Sequence, residues 1–231
     1  MKIVGTPIEG VVVLEPDHFA DPRGAFTPMF VREDMTTVMG DRQILRVNHS
    51  TNRDAGTLRG FHLQLAPAEE TKIVQCLRGR IHDVAIDLRA GSPTFGQCHG
   101  ELLDAASRRM LVIPEGFGHA FQTLDPDTDI MYFVTGEYAP AREMNVNAVD
   151  PALGFEWPLP ITCRSEKDTS SLTVAGHQAA GFSGVVLSRD WLMPRAERHD
   201  ALDSVAAMLA REQALAVALE KRLLHCRTIT L

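Results

Sequence analysis

The chain has 231 residues, with 23 lysines and arginines against 30 aspartates and glutamates, and a net charge of −7. Its 45% hydrophobic and 23% charged composition is typical of a globular domain and excludes a disordered or collagen-like chain. The acidic balance argues against nucleic acid as a partner, and no stretch approaches the ~18 uncharged residues of a membrane span. We see no secretory signal, and we expect the four scattered cysteines to be buried free thiols of a cytoplasmic protein.

Residues 1–168 are predicted to form a β domain. Short runs rich in valine, isoleucine and phenylalanine alternate with polar residues, and glycine, proline, aspartate and asparagine separate the runs. Strands this short at this spacing favour a sandwich or barrel over βαβ units. The clearest runs lie at 10–14, 71–77, 81–88, 109–113 and 130–134, with turn signals at 78–80, 90–93 and 114–116.

Residues 169–231 are predicted to form a C-terminal extension. Its first part, 169–195, is loop-like, with one possible strand at 184–187. From about 200 to 225 the pattern becomes that of an amphipathic helix. We expect this helix to pack on its own domain or on a partner subunit, because mixed charge on its polar face argues against a membrane surface. Its apolar face comprises Leu202, Val205, Leu209, Ala216, Leu219 and Leu223.

Two segments, 57–64 and 114–121, carry histidines where a double-stranded β-helix of the cupin type brings them to the mouth of one cavity. The second segment fits the cupin pattern PxGxxH. The first lacks the second histidine of the metal-binding HxH pattern, because Gln64 stands there, and Lys72 follows on the next strand. An ammonium group would repel a divalent cation. We therefore predict no metal, and a metal-dependent cupin, either an oxygenase or an isomerase, is the alternative.

Without a metal, the polar residues of this region suit proton abstraction beside a ketone. His62 can act as a base near neutral pH. Lys72 can stabilise the enolate oxygen in a low-dielectric pocket, and Tyr132 can return a proton from the opposite face. Asp168 can hold the imidazole in its useful tautomer. Each residue also has an ordinary interpretation, since strand histidines and tyrosines are more often packing residues and strand lysines are solvated.

Ordered strings between about residue 10 and residue 168 resemble the dTDP-4-dehydrorhamnose 3,5-epimerase family of nucleotide-sugar enzymes. So many strings in order are far more specific than one short motif. The strings are DPRGAF at 21–26, NHS at 48–50, LRGFHLQ at 58–64, KIVQCLRG at 72–79, HDVAIDLR at 82–89, GSPTFG at 91–96, IPEGFGH at 113–119, YAP at 138–140, DP at 150–151, WP at 157–158 and SEKD at 165–168.

This resemblance implies a cofactor-free jelly-roll epimerase, usually a homodimer, that inverts C3, C5 or both in a nucleotide-linked 4-keto-6-deoxy sugar. The histidine matching His62 is then the proton acceptor, oriented by the match to Asp168. The family tyrosine that matches Tyr132 is the proton donor, and the family lysine that matches Lys72 stabilises the enolate. Implied substrate-binding residues are Arg23, Arg59, His119, Glu143 and Lys167 for the diphosphate and sugar, Tyr138 for stacking on the base, and Phe26, Arg46 and Asn48.

Two departures from the family pattern concern the nucleotide base. Pro28 stands where the family usually has a glutamate, and Arg46 stands where a glutamine is common. Both positions read the thymine in the family, so a base other than thymine is left open, as is the number of inverted carbons. A non-catalytic sugar-nucleotide-binding protein, in which the pocket persists without turnover, is a further alternative.

Overall fold

The computed structural model describes residues 1–185 of the chain. The helix predicted at 200–225, and all but the start of the strand predicted at 184–187, lie outside the described residues. Within them, residues 169–185 pack on the β body, and Val185 is only 3% exposed in its core. The division of the chain at residue 168 stays a prediction.

The described residues form thirteen strands and three short α-helices. None of these helices has the length and apolar run needed to cross a membrane. The helices are α1 (Arg32–Met39), α2 (Glu166–Thr169) and α3 (Val174–Ala179). The strands are β1 (Lys2–Gly5), β2 (Val12–Glu15), β3 (Phe19–Asp21), β4 (Gly24–Phe26), β5 (Arg46–Asn52), β6 (Leu58–Gln64), β7 (Lys72–Arg78), β8 (Arg80–Asp87), β9 (Cys98–Asp104), β10 (Met110–Ile113), β11 (Phe117–Thr123), β12 (Thr128–Val134) and β13 (Glu143–Asn145).

Eleven of these strands form two antiparallel sheets, and the predicted mainly β jelly roll is confirmed. The larger sheet has the order β1-β2-β10-β7-β12-β5, and the smaller has the order β13-β6-β11-β8-β9. Neighbours that are distant in sequence, such as β12 beside β5, reflect the crossovers typical of a jelly roll. The strands β3 and β4 pair with each other in a hairpin outside both sheets.

The inner faces of the two sheets meet in an apolar core that positions the strand ends. Val74 and Ile130 of the larger sheet belong to the same buried cluster as Ala85 and Phe121 of the smaller sheet. Full burial of a large apolar side chain stabilises a fold by ~1.5–3 kcal/mol. Tyr132 packs against this cluster with its ring partly buried, so the core also holds one of the predicted catalytic groups.

The cysteines differ in exposure. Cys76 is buried, Cys98 is half-buried and Cys163 is exposed, and all three are free thiols. The expectation of burial is therefore wrong for Cys163. Its segment lies along the surface, where the backbone of Cys163 pairs with that of Thr57 beside β6 and leaves the side chain outside.

Gly60 allows β6 to lie close to β11. Its φ is 114°, and a Cβ built on it would lie 2.5 Å from the carbonyl oxygen of His119 and from the Cβ of Ala120. We expect Gly60→Ala to destabilise the fold by about 4 kcal/mol, because backbone strain and overpacking add. The melting temperature should then fall by about 10 °C. Activity should fall too, since the same strand carries His62.

Gly91→Ala is the matched control. Gly91 also has a positive φ, 73°, but nothing lies within 4 Å of a Cβ built there. This variant therefore reports backbone strain alone, about 1–2 kcal/mol. Calorimetric melting of both variants measures the difference, and equal losses would contradict the close-approach explanation.

Candidate active site

A cleft of about 140 Å³ receives side chains from both sheets. In the larger sheet, Asn48 pairs with Tyr132, and Lys72 pairs with Val134 on the neighbouring strands. In the smaller sheet, β6 contributes His62. Three of the four predicted catalytic residues therefore meet at one cleft. Its lining comprises Arg46, Asn48, His62, Leu63, Gln64, Glu70, Lys72, Tyr132, Val134, Tyr138 and Glu143.

His62 is held by the fourth predicted residue, Asp168, which lies 106 positions later in the chain. Nε2 of His62 is 2.5 Å from Oδ1 of Asp168, whose side chain is only 2% exposed. Burial opposes ionisation of Asp168, but hydrogen bonds from His62, Ser165 and the Gly60 amide outweigh it and hold its pKa below the ordinary value. A carboxylate only accepts hydrogen bonds, so Nε2 carries the proton, and in the neutral imidazole Nδ1 holds the lone pair of a base.

The short helix α2 brings Asp168 to His62. Ser165 is its N-cap, and the Ser165 hydroxyl accepts a hydrogen bond from the Asp168 amide at 3.1 Å. Arg164 donates to the carbonyl oxygen of Asp168 at 2.6 Å. The cap and the guanidinium group therefore fix the backbone of the residue that orients the imidazole.

Lys72 is buried at the start of β7, with 9% of its surface exposed. Its Nζ donates to the carbonyl oxygen of His62 at 3.1 Å and lies 3.4 Å from Oε1 of Glu70. An ammonium group has three donors, so the hydrogen bond to His62 leaves donor capacity for an oxygen of a ligand. A cation held in place with little solvent around it interacts strongly with developing negative charge.

Tyr132 lies on β12 beside the same cleft. Burial raises the pKa of its phenol. The positive charge of Arg59 lowers this pKa, but the effect of burial is larger. The phenol therefore stays protonated well above neutral pH and can donate a proton. Its ring meets His119 edge-on, with the ring centroids 6.5 Å apart.

His119 forms a second imidazole–carboxylate pair beside Tyr132. It lies opposite His62 across β6 and β11, and it is 6% exposed. Its Nε2 is 2.7 Å from Oδ1 of Asp83, which is fully buried. Because the side chain of His119 is 7% exposed and that of His62 is 33% exposed, His62 is the more accessible base.

Tyr138 forms the outer wall of the cleft and is 58% exposed. Its hydroxyl donates to Oε2 of Glu143 at 3.1 Å, and Oε1 of Glu143 forms an ion pair of 2.5 Å with Lys167. The guanidinium group of Arg46 lies over the Tyr138 ring, 5.8 Å from its centroid. An exposed ring with cations beside it suits a ligand that combines an aromatic base with negative charge.

Arg23 and Phe26 are not brought to this cleft within one chain. They lie on the β3–β4 hairpin, where the Arg23 side chain is 90% exposed and paired with Asp21, and Phe26 is 68% exposed. Arg59 has an exposed side chain on β6 and acts on Tyr132 through its charge. Of the nine predicted substrate-binding residues, four line the cleft and two lie on the hairpin, whereas Arg59, His119 and Lys167 lie outside the cleft lining.

Two cleft residues, Gln64 and Glu70, were not predicted to serve the site. The Gln64 amide nitrogen donates to Oε2 of Glu70 at 2.8 Å, and its oxygen accepts from the Ala139 amide at 2.6 Å. Gln64 therefore joins the loops on either side of the cleft. The sequence signal for Glu70 is its spacing of two from Lys72, which places both side chains on one face of an extended chain.

Metal binding was the chemical alternative for this site. Within residues 1–185, no group of three or more histidine, cysteine, aspartate or glutamate side chains is arranged to hold a metal ion. The amide at position 64 is engaged in hydrogen bonds to the protein. A metal-free site stays a prediction, which elemental analysis of the purified protein can test.

Comparison with known proteins links the cleft to one family. The family model described as dTDP-4-dehydrorhamnose 3,5-epimerase matches residues 5–175. The dTDP-4-dehydrorhamnose 3,5-epimerase of Mycolicibacterium smegmatis is 39% identical over 175 residues, which cover 75% of this chain and 86% of that protein. The dTDP-4-dehydrorhamnose 3-epimerase of Streptomyces niveus is 35% identical, over 79% of this chain and 88% of its own length. Among solved structures, ChmJ, a 3′-monoepimerase from Streptomyces bikiniensis in complex with dTDP-quinovose, superposes with a TM-score of 0.75 and 33% identity, over 84% of this chain and 98% of ChmJ.

Proposed function

The chain belongs to the dTDP-4-dehydrorhamnose 3,5-epimerase family, and we propose that its cleft inverts sugar carbons by removing and returning a proton. As the resemblance predicted, the protein is an isomerase of nucleotide-linked 4-keto-6-deoxy sugars, acting at C3 or at C3 and C5. One observation carries the proposed mechanism. His62, Lys72 and Tyr132 line a single cleft, and Asp168 lies behind His62.

The first step is proton abstraction. The 4-keto group makes the hydrogens on C3 and C5 acidic, and Nδ1 of His62 removes one of them. The electron pair of the broken C–H bond forms a double bond between that carbon and C4, and the carbonyl becomes an enolate with its negative charge on oxygen. The Asp168 carboxylate stabilises the imidazolium that forms. A positioned base of this kind contributes ~10²–10⁴-fold to the rate.

The second step is reprotonation from the opposite face. Lys72 donates a hydrogen bond to the enolate oxygen and offsets its charge. The Tyr132 phenol then gives its proton to the carbon, the carbonyl re-forms, and the configuration is inverted. Proton exchange with solvent returns His62 to its neutral form and Tyr132 to the phenol, so no cofactor or net redox change is required.

We propose that the nucleotide lies along the outer part of the cleft. Tyr138 offers an exposed ring on which a base can stack, and Arg46 and Lys167 supply positive charge for the diphosphate. The relatives that act on or bind dTDP sugars make dTDP-4-keto-6-deoxyglucose the first substrate to test. Asn48, Arg59, His119 and Glu143 complete the proposed binding set within the chain.

We also propose a homodimer in which the β3–β4 hairpin completes the partner's site. Phe19 and Phe26 face each other across the hairpin and are 59% and 68% exposed. Burial of two such rings would contribute substantially to an interface. Arg23, on the same hairpin, would then reach the anionic substrate in the partner subunit. We place this dimer in the cytoplasm, in keeping with its free thiols.

Subunit mixing tests this arrangement. An Arg23→Ala chain and a His62→Ala chain should each form inactive dimers, because every site lacks one group. In the mixed dimer, one site carries both substitutions and the other carries neither, so co-expression should restore up to about half the activity per mixed dimer. No recovery in verified mixed dimers would show that the hairpin serves its own chain, and an active Arg23→Ala dimer would show that it serves no site.

Solvent exchange tests the function itself. The protein is incubated in D2O with the dTDP, GDP and CDP forms of 4-keto-6-deoxyglucose, and NMR follows deuterium at C3 and C5. We expect exchange at C3, or at both carbons, with the dTDP form, and no loss of rate with a chelator. Binding without exchange would indicate a non-catalytic protein, and loss of activity to the chelator would indicate a metal enzyme.

A further inference from the structure

We propose that Glu70 is a positioning residue that sets the location of the Lys72 ammonium group; this inference rests on the proposed function, in which Lys72 stabilises the enolate. Glu70 lies in the connection just before β7 and lines the cleft. Its side chain is 8% exposed, and glutamates are rarely buried to this extent unless their charge is paired.

The two oxygens of Glu70 have different partners. Oε2 accepts hydrogen bonds from Gln64 at 2.8 Å and from Arg46 at 2.5 Å. Oε1 lies 3.4 Å from Nζ of Lys72. Because both donors are on one oxygen, they hold the carboxylate in the orientation that presents the other oxygen to Lys72.

The donors that hold Glu70 are themselves fixed to the backbone. Gln64 donates to the carbonyl oxygen of Ala68 at 3.1 Å and accepts from the amide of Ala139 at 2.6 Å. The Nε of Arg46 donates to the carbonyl oxygen of Gly136 at 2.8 Å. Glu70 therefore has a rigid support drawn from both sides of the cleft.

Charge makes this support necessary. The cleft contains the guanidinium group of Arg46 and the ammonium group of Lys72, and both contact the same carboxylate. Without that carboxylate, two partly buried cations would repel each other, and Lys72 would keep only the His62 carbonyl oxygen as a described partner. With it, a hydrogen bond to the His62 carbonyl oxygen and an ion pair with Glu70 define the position of Nζ. Misplacing a catalytic group by 1 Å can cost ~10²-fold in rate.

Glu70→Gln is the discriminating substitution. A carboxamide has an acceptor on one side and donors on the other. Either Lys72 or the Arg46–Gln64 pair must then face an NH2 group. We expect kcat at saturating substrate to fall about tenfold, because Lys72 acts on the enolate. Any effect of the substitution on the bound nucleotide through Arg46 is measured separately, as a change in KM.

A double-mutant cycle separates positioning from a general structural role. Glu70→Gln is also made in a Lys72→Ala background, where the slow reaction is followed as deuterium incorporation at C3 and C5. If Glu70 acts through Lys72, Glu70→Gln should change the exchange rate of the Lys72→Ala enzyme by less than about twofold. The exposed Glu156→Gln change is the control for loss of a carboxylate, and it should leave kcat unchanged.

The outcomes distinguish this inference from the function on which it rests. An equal loss from Glu70→Gln in both backgrounds, or no loss in either, overturns the positioning role alone. A Lys72→Ala enzyme with parental kcat overturns the enolate role of Lys72 and the inference together. Thermal melts check folding, and if Glu70→Gln does not fold, Glu70→Asp, which keeps the charge on a shorter side chain, enters the same cycle with the same criteria.

Discussion

Replacing His62 with alanine is expected to lower kcat by about a thousandfold, and deuterium exchange at C3 and C5 should fall with it. His62 is the accessible imidazole of the cleft, and its link to Asp168 leaves Nδ1 free to accept a proton. The other imidazole nearby, that of His119, is buried and paired with Asp83. NMR in D2O measures exchange and inversion in one sample.

Two further substitutions show whether the loss comes from the base. Asp168→Asn can place an amide donor against Nε2 and favour the tautomer with the proton on Nδ1, so we expect a loss of about a hundredfold or more. His49→Ala removes a histidine whose side chain is 55% exposed outside the cleft lining, and it should retain parental activity. Substantial exchange in the His62→Ala enzyme would assign proton abstraction to another residue.

Tyr132→Phe is expected to separate exchange from inversion. His62 remains able to remove a proton and to return deuterium to the same face, so exchange without inversion should survive. Inversion needs an acid on the opposite face of the sugar. The Tyr132 phenol, kept protonated by burial, is the proposed acid, and Tyr132→Phe removes it. The ratio of exchange to inversion should therefore rise by about tenfold or more.

The comparison for this experiment is Tyr138→Phe. It also removes one phenolic oxygen, but that oxygen lies at the outer wall of the cleft, bonded to Glu143. We expect it to affect nucleotide binding through KM while the ratio of exchange to inversion stays at the parental value. A parallel loss of exchange and inversion in Tyr132→Phe would contradict the division of labour between His62 and Tyr132.

Local patterns in the sequence accounted for much of the fold. The alternation of apolar and polar residues in runs such as 71–77 and 81–88 has a period of two, which belongs to one strand and needs no distant partner. The structure has β7 and β8 in these runs and confirms the jelly roll. The ordered family strings likewise indicated the epimerase activity, because each string is contiguous and can be read without knowing its neighbours.

The tertiary structure decided which of those residues meet. Asp168 reaches His62 across 106 positions only because α2 packs beside β6, and no local spacing encodes such a contact. No sequence motif singled out Glu70, and its role in the cleft emerges only where folding brings Arg46 and Gln64 to the same carboxylate oxygen. Closure of the two sheets also leaves the hairpin with Arg23 outside the cleft of its own chain.

The sequence by itself therefore determined the class of fold and the family, and it predicted the reactive groups, because these depend on short-range periodicity and contiguous motifs. The geometry around those groups was decided by long-range packing, in which the free energy of burying two sheet faces sets distances that no single segment specifies. Two of these distances support the proposed mechanism. They are the 2.5 Å contact that orients the His62 imidazole and the 3.4 Å contact between Glu70 and the Lys72 ammonium group.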